Sequence, residues 1–244
     1  MKIEVWSDVV CPFCYVGKRR LEAALAEFPH RNAVGVVWRS FELAPDAPAE
    51  TGEPLDALLA RKYDMDLAEA RAANARVTAM AAEVGIEFRL ERARSGNTFD
   101  AHRLLHLAAE HGLGGEAKEL LLRAYFTEGR AVGVRAELVA LGVELGLEEA
   151  VVRAALEGEA HADAVRADQR EARELGVQGV PFFVIDRRYA VSGAQPEAVF
   201  AEALARAWAQ RAPQVQVIGT ETEAETEAET EAACVDEACA APQG

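Results

Sequence analysis

Two pairs of cysteines stand close enough in the 244-residue chain to do chemistry together: Cys11 with Cys14, and Cys234 with Cys239. The first pair encloses Pro12 and Phe13 and lies between a run of strand-forming residues and a helical pattern. At the start of a helix the unpaired N–H groups and the positive dipole end stabilise an anion, which favours Cys11 as a thiolate. A thiolate attacks disulfides, and a second thiol one helical turn on is placed to resolve the mixed disulfide that results. Pro12 suits the first turn because it has no N–H to leave unpaired. The competing use is half of a zinc site completed by the distal pair. Zinc half-sites rarely follow a strand or enclose a proline, so redox chemistry is the expectation and no metal or cofactor is expected.

Other residues invite weaker readings. In Gly179-Val180-Pro181-Phe182, a trans proline would open a strand at an edge, whereas a cis Val180–Pro181 bond would present the backbone of Val180 to an extended polypeptide. Phe13 and Val180 are then candidates for substrate contact. Asp8, three residues before Cys11, is placed either to cap the following turn or to relay a proton from Cys14. His102 and His106 are four apart on an expected helix, but no third ligand accompanies them. Trp6, Phe13, Phe182 and Phe183 supply apolar surface, most of it for the core. Cys234 and Cys239 are too far apart in a regular helix to bond. A flexible spacer from Pro213 to Ala233 reaches roughly 25 Å, so they form a candidate auxiliary redox pair able to meet Cys11, or else two inert thiols.

The elements that must position these groups come in a definite order. Lys2–Val9 reads as a strand, Lys18–Phe28 as a helix, Val34–Trp38 as a strand and Phe41–Pro54 as a proline-containing connection. Residues 55–175 then read as helix after helix, with Leu67–Val84, Phe99–His111, Glu116–Thr127, Arg135–Leu145 and Glu159–Leu175 the clearest. Strand signals return at Phe182–Ile185 and Tyr189–Val191, followed by a helix from Pro196 to Arg211. The expectation is an α/β domain, residues 1–54 and 176–212, split by an all-helical insertion at 55–175. Residues 213–244 form a tail with eight acidic residues and no Lys or Arg, including Glu-Thr-Glu-Ala three times over. Such a segment has nothing from which to build a core.

With 50% hydrophobic and 27% charged residues the composition is that of a soluble globular protein, and no run approaches a membrane span. Removing the eight tail acids from the net charge of −15 leaves −7 for residues 1–212. That sign argues against nucleic acid as a partner. The opening residues, Met1-Lys2-Ile3-Glu4-Val5-Trp6, alternate at once and lack the regions of an export signal. A cytoplasmic location is expected, where close cysteine pairs point to redox turnover rather than structural crosslinks.

Strand, Cys-Pro-Phe-Cys, helix, helical insertion, Gly-Val-Pro-Phe-Phe, hairpin and helix together resemble the thioredoxin-fold DsbA family, in its FrnE-like cytoplasmic branch. Trp6-Ser7-Asp8, Phe41-Glu42-Leu43-Ala44-Pro45 and Asn97-Thr98-Phe99-Asp100-Ala101-His102 add to the resemblance, which covers residues 1–210. It implies a thiol–disulfide oxidoreductase or isomerase with Cys11 the nucleophile, Cys14 the resolving thiol and Pro181 a cis proline. Its partners would be unfolded or disulfide-containing proteins and a thiol reductant or oxidant that recycles the pair. Periplasmic DsbA enzymes usually carry His where Phe13 stands, so a less oxidising potential is expected here. Two other classes share the plan or the surface. Kappa-type glutathione transferases and glutathione-dependent isomerases usually carry Ser at the position of Cys11, and a chaperone-like holdase would use the apolar groove alone.

Overall fold

The computed structural model describes residues 1–211. Lys2–Ser7 (β1) alternates so that Ile3 and Val5 point to one side and Glu4 and Trp6 to the other, and both sides are covered. Such a strand must be central. It pairs in parallel with Gly35–Ser40 (β2) and antiparallel with Phe182–Ile185 (β3), which in turn pairs with Tyr189–Ser192 (β4). The sheet order is β2-β1-β3-β4.

Two helices cover one face of the sheet: Pro12–Ala26 (α1) and Glu197–Ala209 (α9). Leu21, Ala24 and Phe28 meet Ile3, Val5, Phe183 and Phe200 there in a dry core. Seven helices separate β2 from β3. They are Leu55–Tyr63 (α2), Leu67–Glu83 (α3), Phe99–Glu110 (α4), Gly114–Arg123 (α5), Arg135–Glu144 (α6), Glu149–Glu157 (α7) and Ala162–Glu174 (α8). They build a second core that also takes in Val9, Tyr15 and Val16. The start of α1 is thus held from two sides, by the sheet and by the helical block. Met1–Gln210 form one compact unit. On the opposite face of the sheet, Trp6 and Val184 pack against Ala172 of α8.

Several sequence expectations shift. The apolar period marks α1 only from Lys18, but the helix begins at Pro12, in the turn the cysteine motif implied, with an extended Cys11 before it. Strand β1 ends at Ser7, two residues early, because Asp8 and Val9 turn inward. The expected helix at Glu116–Thr127 ends at Arg123 and passes into a π-helical turn, Ala124–Glu128, which buries Tyr125 and Phe126. No helix among the described residues is long and apolar enough to cross a membrane.

Candidate active site

Cys11 is the N-cap residue of α1, with extended backbone (φ −93°, ψ 114°). Its carbonyl accepts the Cys14 N–H at 3.0 Å, which closes the first turn and sets the two sulfurs one above the other. Both cysteines are free thiols. Cys11 keeps 4% of its surface, at the edge of solvent, whereas Cys14 is sealed at 1%. Cys11 Sγ donates to the carbonyl of Val180 at 3.5 Å, and the Val180–Pro181 bond is cis. The loop before β3 therefore faces the first sulfur with its backbone. Phe13 projects outward at 42% exposure. Trp6 and Phe183 are completely buried and line no groove; Trp6 Nε1 donates to the Asp168 carbonyl.

Glycine at position 17 explains how α1 comes so close to that loop. A Cβ there would meet Pro181 Cγ at 3.0 Å and the Phe183 ring at 3.1 Å. Glycine lets the helix lie against the proline without pushing either neighbour back.

Behind the sulfurs is a closed polar cluster. Asp8 is fully buried, and its carboxylate accepts the N–H of Val9 (2.7 Å) through one oxygen and that of Leu43 (2.8 Å) through the other. His102 Nε2 stands 3.3 Å from the first oxygen. Burial alone would raise the Asp8 carboxyl, but His102, the Leu43 N–H and the charge of Lys118 outweigh it and hold the group below its ordinary range. Asp8 thus holds the turn that follows it through the Val9 N–H and ties that turn to the loop at Leu43, while no N-cap side chain closes α1 itself. It is the backbone N–H of Asp8, not its carboxylate, that favours a Cys14 anion. Burial pushes the Cys14 thiol well up, reinforced by hydrogen bonding to Cys11 and by its charge.

Lys118 of α5 completes the cluster. It is fully buried, and its Nζ has no hydrogen-bond partner among the described residues. The ammonium position lies 5.7 Å over the Trp38 ring of β2. Burial lowers its pKa, while negative charge on Cys14, Asp8 or Cys11 would raise it. One residue on, Glu119 accepts from Tyr15 Oη and Lys18 Nζ, both at 2.6 Å, and from Arg19. Helix α5 thus clamps the first turns of α1 through Glu119 and buries the residue before it, Lys118, over Trp38.

The structure brings Cys11, Cys14, Phe13, Val180, Pro181 and Asp8 together. His102 and His106 do not converge: His102 faces Asp8, whereas His106 Nε2 lies 3.1 Å from both Asp168 Oδ2 and Ser40 Oγ. No group of three or more metal-binding side chains occurs among the described residues. Cys234 and Cys239 lie outside the described residues. Sequence reasoning missed Lys118, Glu119 and Gly17. The signal for Lys118 was its place on one helical face with Leu121 and Leu122, both buried, where a lysine is out of character.

A sheet of this order, with a Cys-x-x-C pair at the N-terminus of the first helix and a cis proline across from it, defines a thioredoxin-like fold. The chain belongs to the DSBA-like thioredoxin domain family, whose profile matches residues 2–205. It is similar to the crystal structure of a probable DsbA oxidoreductase from Streptomyces coelicolor, with 45% identity, a TM-score of 0.84 and 100% of each chain covered. YwbO of Bacillus subtilis (strain 168) is 30% identical over 204 residues, which span 83% of this chain and 94% of that protein. The cytosolic disulfide reductase DsbM from Pseudomonas aeruginosa shares the fold at 23% identity, with a TM-score of 0.59 and coverage of 84% and 98%.

Proposed function

We propose that the protein is a thiol–disulfide oxidoreductase with isomerase capacity that acts on unfolded or disulfide-containing proteins in the cytoplasm. Cys11 as thiolate attacks a substrate disulfide R–S–S–R′; R′–S⁻ leaves and a Cys11–S–S–R mixed disulfide forms. Cys14, once deprotonated, attacks Cys11 Sγ, the bond to R breaks, and R–S⁻ departs from a Cys11–Cys14 disulfide. A thiol reductant returns the pair to the dithiol; run in reverse, the same steps oxidise a substrate. Isomerisation needs only that a second substrate thiolate resolves the mixed disulfide in place of Cys14.

The observation that carries this reading is the contrast between the two sulfurs. Cys11 sits at the rim, 3.5 Å from the Val180 carbonyl, where an extended chain laid against Val180 and Pro181 would place its own sulfur. Cys14 is sealed beneath and suits only attack on Cys11. Exposed Phe13 adds apolar contact for unfolded chain. Cys234 and Cys239 enter the reading, on sequence grounds alone, as an auxiliary pair that exchanges with Cys11. The test is trapping with a disulfide-bonded protein such as insulin. Cys14→Ser is expected to accumulate mixed disulfides and Cys11→Ser to accumulate none. Equal trapping by both variants would overturn the assignment.

A further inference from the structure

Cys11 follows the central strand β1, so loops from both neighbouring strands flank it. Sheet order puts the Val180–Pro181 loop, which leads into β3, on one flank and the loop that leaves β2 on the other. The second flank presents Leu43, and bonds from distant parts of the chain hold it there. The Leu43 N–H donates to Asp8 Oδ2 at 2.8 Å, which ties it to the turn before Cys11. Its neighbour Glu42 accepts from Asn97 Nδ2 (3.3 Å) and Gln169 Nε2 (2.6 Å), and Asn97 Nδ2 also donates to the Pro45 carbonyl at 2.8 Å. Phe41 packs against the cluster around Trp6, whereas Leu43 is left 36% exposed. A single surface leucine is ordinary. One on a loop fixed by partners 35, 55 and 127 residues away is preorganised for contact.

Beside Leu43, near the end of α2, stands a cation without a carboxylate partner among the described residues. Lys62 is exposed; its Nζ donates to the Leu43 carbonyl at 3.4 Å and lies 5.6 Å over the exposed Tyr63 ring. Its neighbours Arg61 and Arg71 are spent on Glu53 (2.6 Å) and Asp56 (2.8 Å). Asp66 caps α3 by accepting the Glu69 N–H at 2.8 Å, and Asp64 ends α2 in the left-handed conformation; neither pairs with Lys62.

We propose that Leu43 and Lys62 form a subsite on the β2 flank of Cys11 that takes an apolar and an acidic side chain of an extended polypeptide, next to the disulfide under attack. The inference rests on Cys11 being the attacking thiol. A chain laid across Cys11 from Val180 advances roughly 3.3 Å per residue and so passes the Leu43 loop within two or three residues of its own cysteine. There Leu43 covers an apolar side chain, and the Lys62 ammonium meets a carboxylate. The net charge of −15 by itself favours basic peptides, so preference for an acidic flank is a local property of this subsite.

Short peptides with one cysteine, each carried as its mixed disulfide with thionitrobenzoate, test this on the full-length protein bearing Cys14→Ser, Cys234→Ser and Cys239→Ser. Cys11 as thiolate bonds to the peptide sulfur, the S–S bond breaks, and thionitrobenzoate leaves. The flanking residues are Leu or Ser combined with Glu or Lys, placed on both sides of the cysteine so that chain direction does not matter. Exchanging Leu for Ser is expected to lower the rate constant roughly tenfold. Exchanging Glu for Lys is expected to lower it roughly threefold, a difference that vanishes in about 1 M salt. Lys62→Glu is expected to reverse the Glu/Lys preference. Leu43→Ser is expected to abolish the Leu/Ser preference and keep the Glu/Lys one. A parent protein that prefers Lys flanks or has no preference, ratios unmoved by Lys62→Glu, or uniform slowing of every peptide by Leu43→Ser would overturn the inference. Release that an added Cys11→Ser leaves undiminished would instead defeat the assignment of Cys11 on which it rests.

Discussion

Phe13 stands between the two thiols of the proposed redox pair. Its ring is exposed and its backbone lies in the first turn of α1, so a substitution there changes the surroundings of Cys11 without disturbing the core. Histidine at this position adds a donor and partial positive charge beside the Cys11 thiolate, which stabilises the reduced form and makes the disulfide a stronger oxidant. Phe13→His is therefore expected to raise the reduction potential of the Cys11/Cys14 pair by about 30 mV or more, a tenfold change in equilibrium constant. Equilibration with glutathione buffers, read by trapping and mass spectrometry, checks it; an unchanged or lower potential refutes it. At this scale the sequence was legible wherever neighbours in the chain carry the chemistry. Cys11, Phe13, Cys14, Val180 and Pro181 announce themselves by short spacing. Asp8 was recognised, but its partners Leu43 and His102 come from 35 and 94 residues away, and no local pattern specifies them. That Lys118 would be buried was invisible for the same reason.

Helix α1 has two surfaces to satisfy at once, and Gly17 is where they conflict. In an exposed helix interior, alanine would be better than glycine by about 1 kcal/mol. Here an added Cβ meets Pro181 at 3.0 Å and the buried Phe183 ring at 3.1 Å, closer than most packed Cβ contacts. The steric effect outweighs propensity, because Pro181 cannot rotate away and Phe183 is enclosed by Phe200. Gly17→Ala is expected to destabilise the protein by about 1–3 kcal/mol and, in a Cys234→Ser, Cys239→Ser background, to slow the release of thionitrobenzoate as Cys11 attacks 5,5′-dithiobis(2-nitrobenzoate), by displacing Cys11 from Val180. Denaturant melts and the release kinetics check both; a stabilised variant with wild-type kinetics would show that the contact relaxes freely. The four strands and the long helices were readable from period and β-branching, because those signals are local. The ends of α1 and β1 were misplaced for a tertiary reason. Val9, Tyr15 and Val16 turn away from the sheet into the helical core, so the apolar pattern of α1 switches faces after its first turn.

Two carboxylates connect the parts of the molecule across long stretches of chain. Glu4, in the central strand, accepts from Arg39 of β2 and Arg187 of the β3–β4 turn, and Arg39 also donates to Asp168 of α8 at 2.9 Å. Glu119 joins α5 to α1 through Tyr15, Lys18 and Arg19. Burial would raise both carboxyls, yet the surrounding cations and donors lower each from 4.5 to about 2. A folded-state pKa below the unfolded one contributes stability that is complete above the unfolded value and is lost as pH falls through the folded one. The window is thus about pH 4.5 down to about pH 2 for both groups. For Glu4, almost wholly buried, the drop corresponds to roughly 3 kcal/mol; Glu119, with 28% of its side chain exposed, contributes less because water screens it. Glu4→Gln is expected to lower stability at neutral pH by a few kcal/mol, since Arg39 and Arg187 lose their shared anion. The gap from wild type should then shrink steadily below about pH 4.5 and nearly vanish near pH 2, because the wild-type carboxyl becomes neutral as well. Denaturant unfolding across that range measures it. A gap that stays constant to the acid end would mean that the packing of Glu4, rather than its charge, binds β1 to its neighbours.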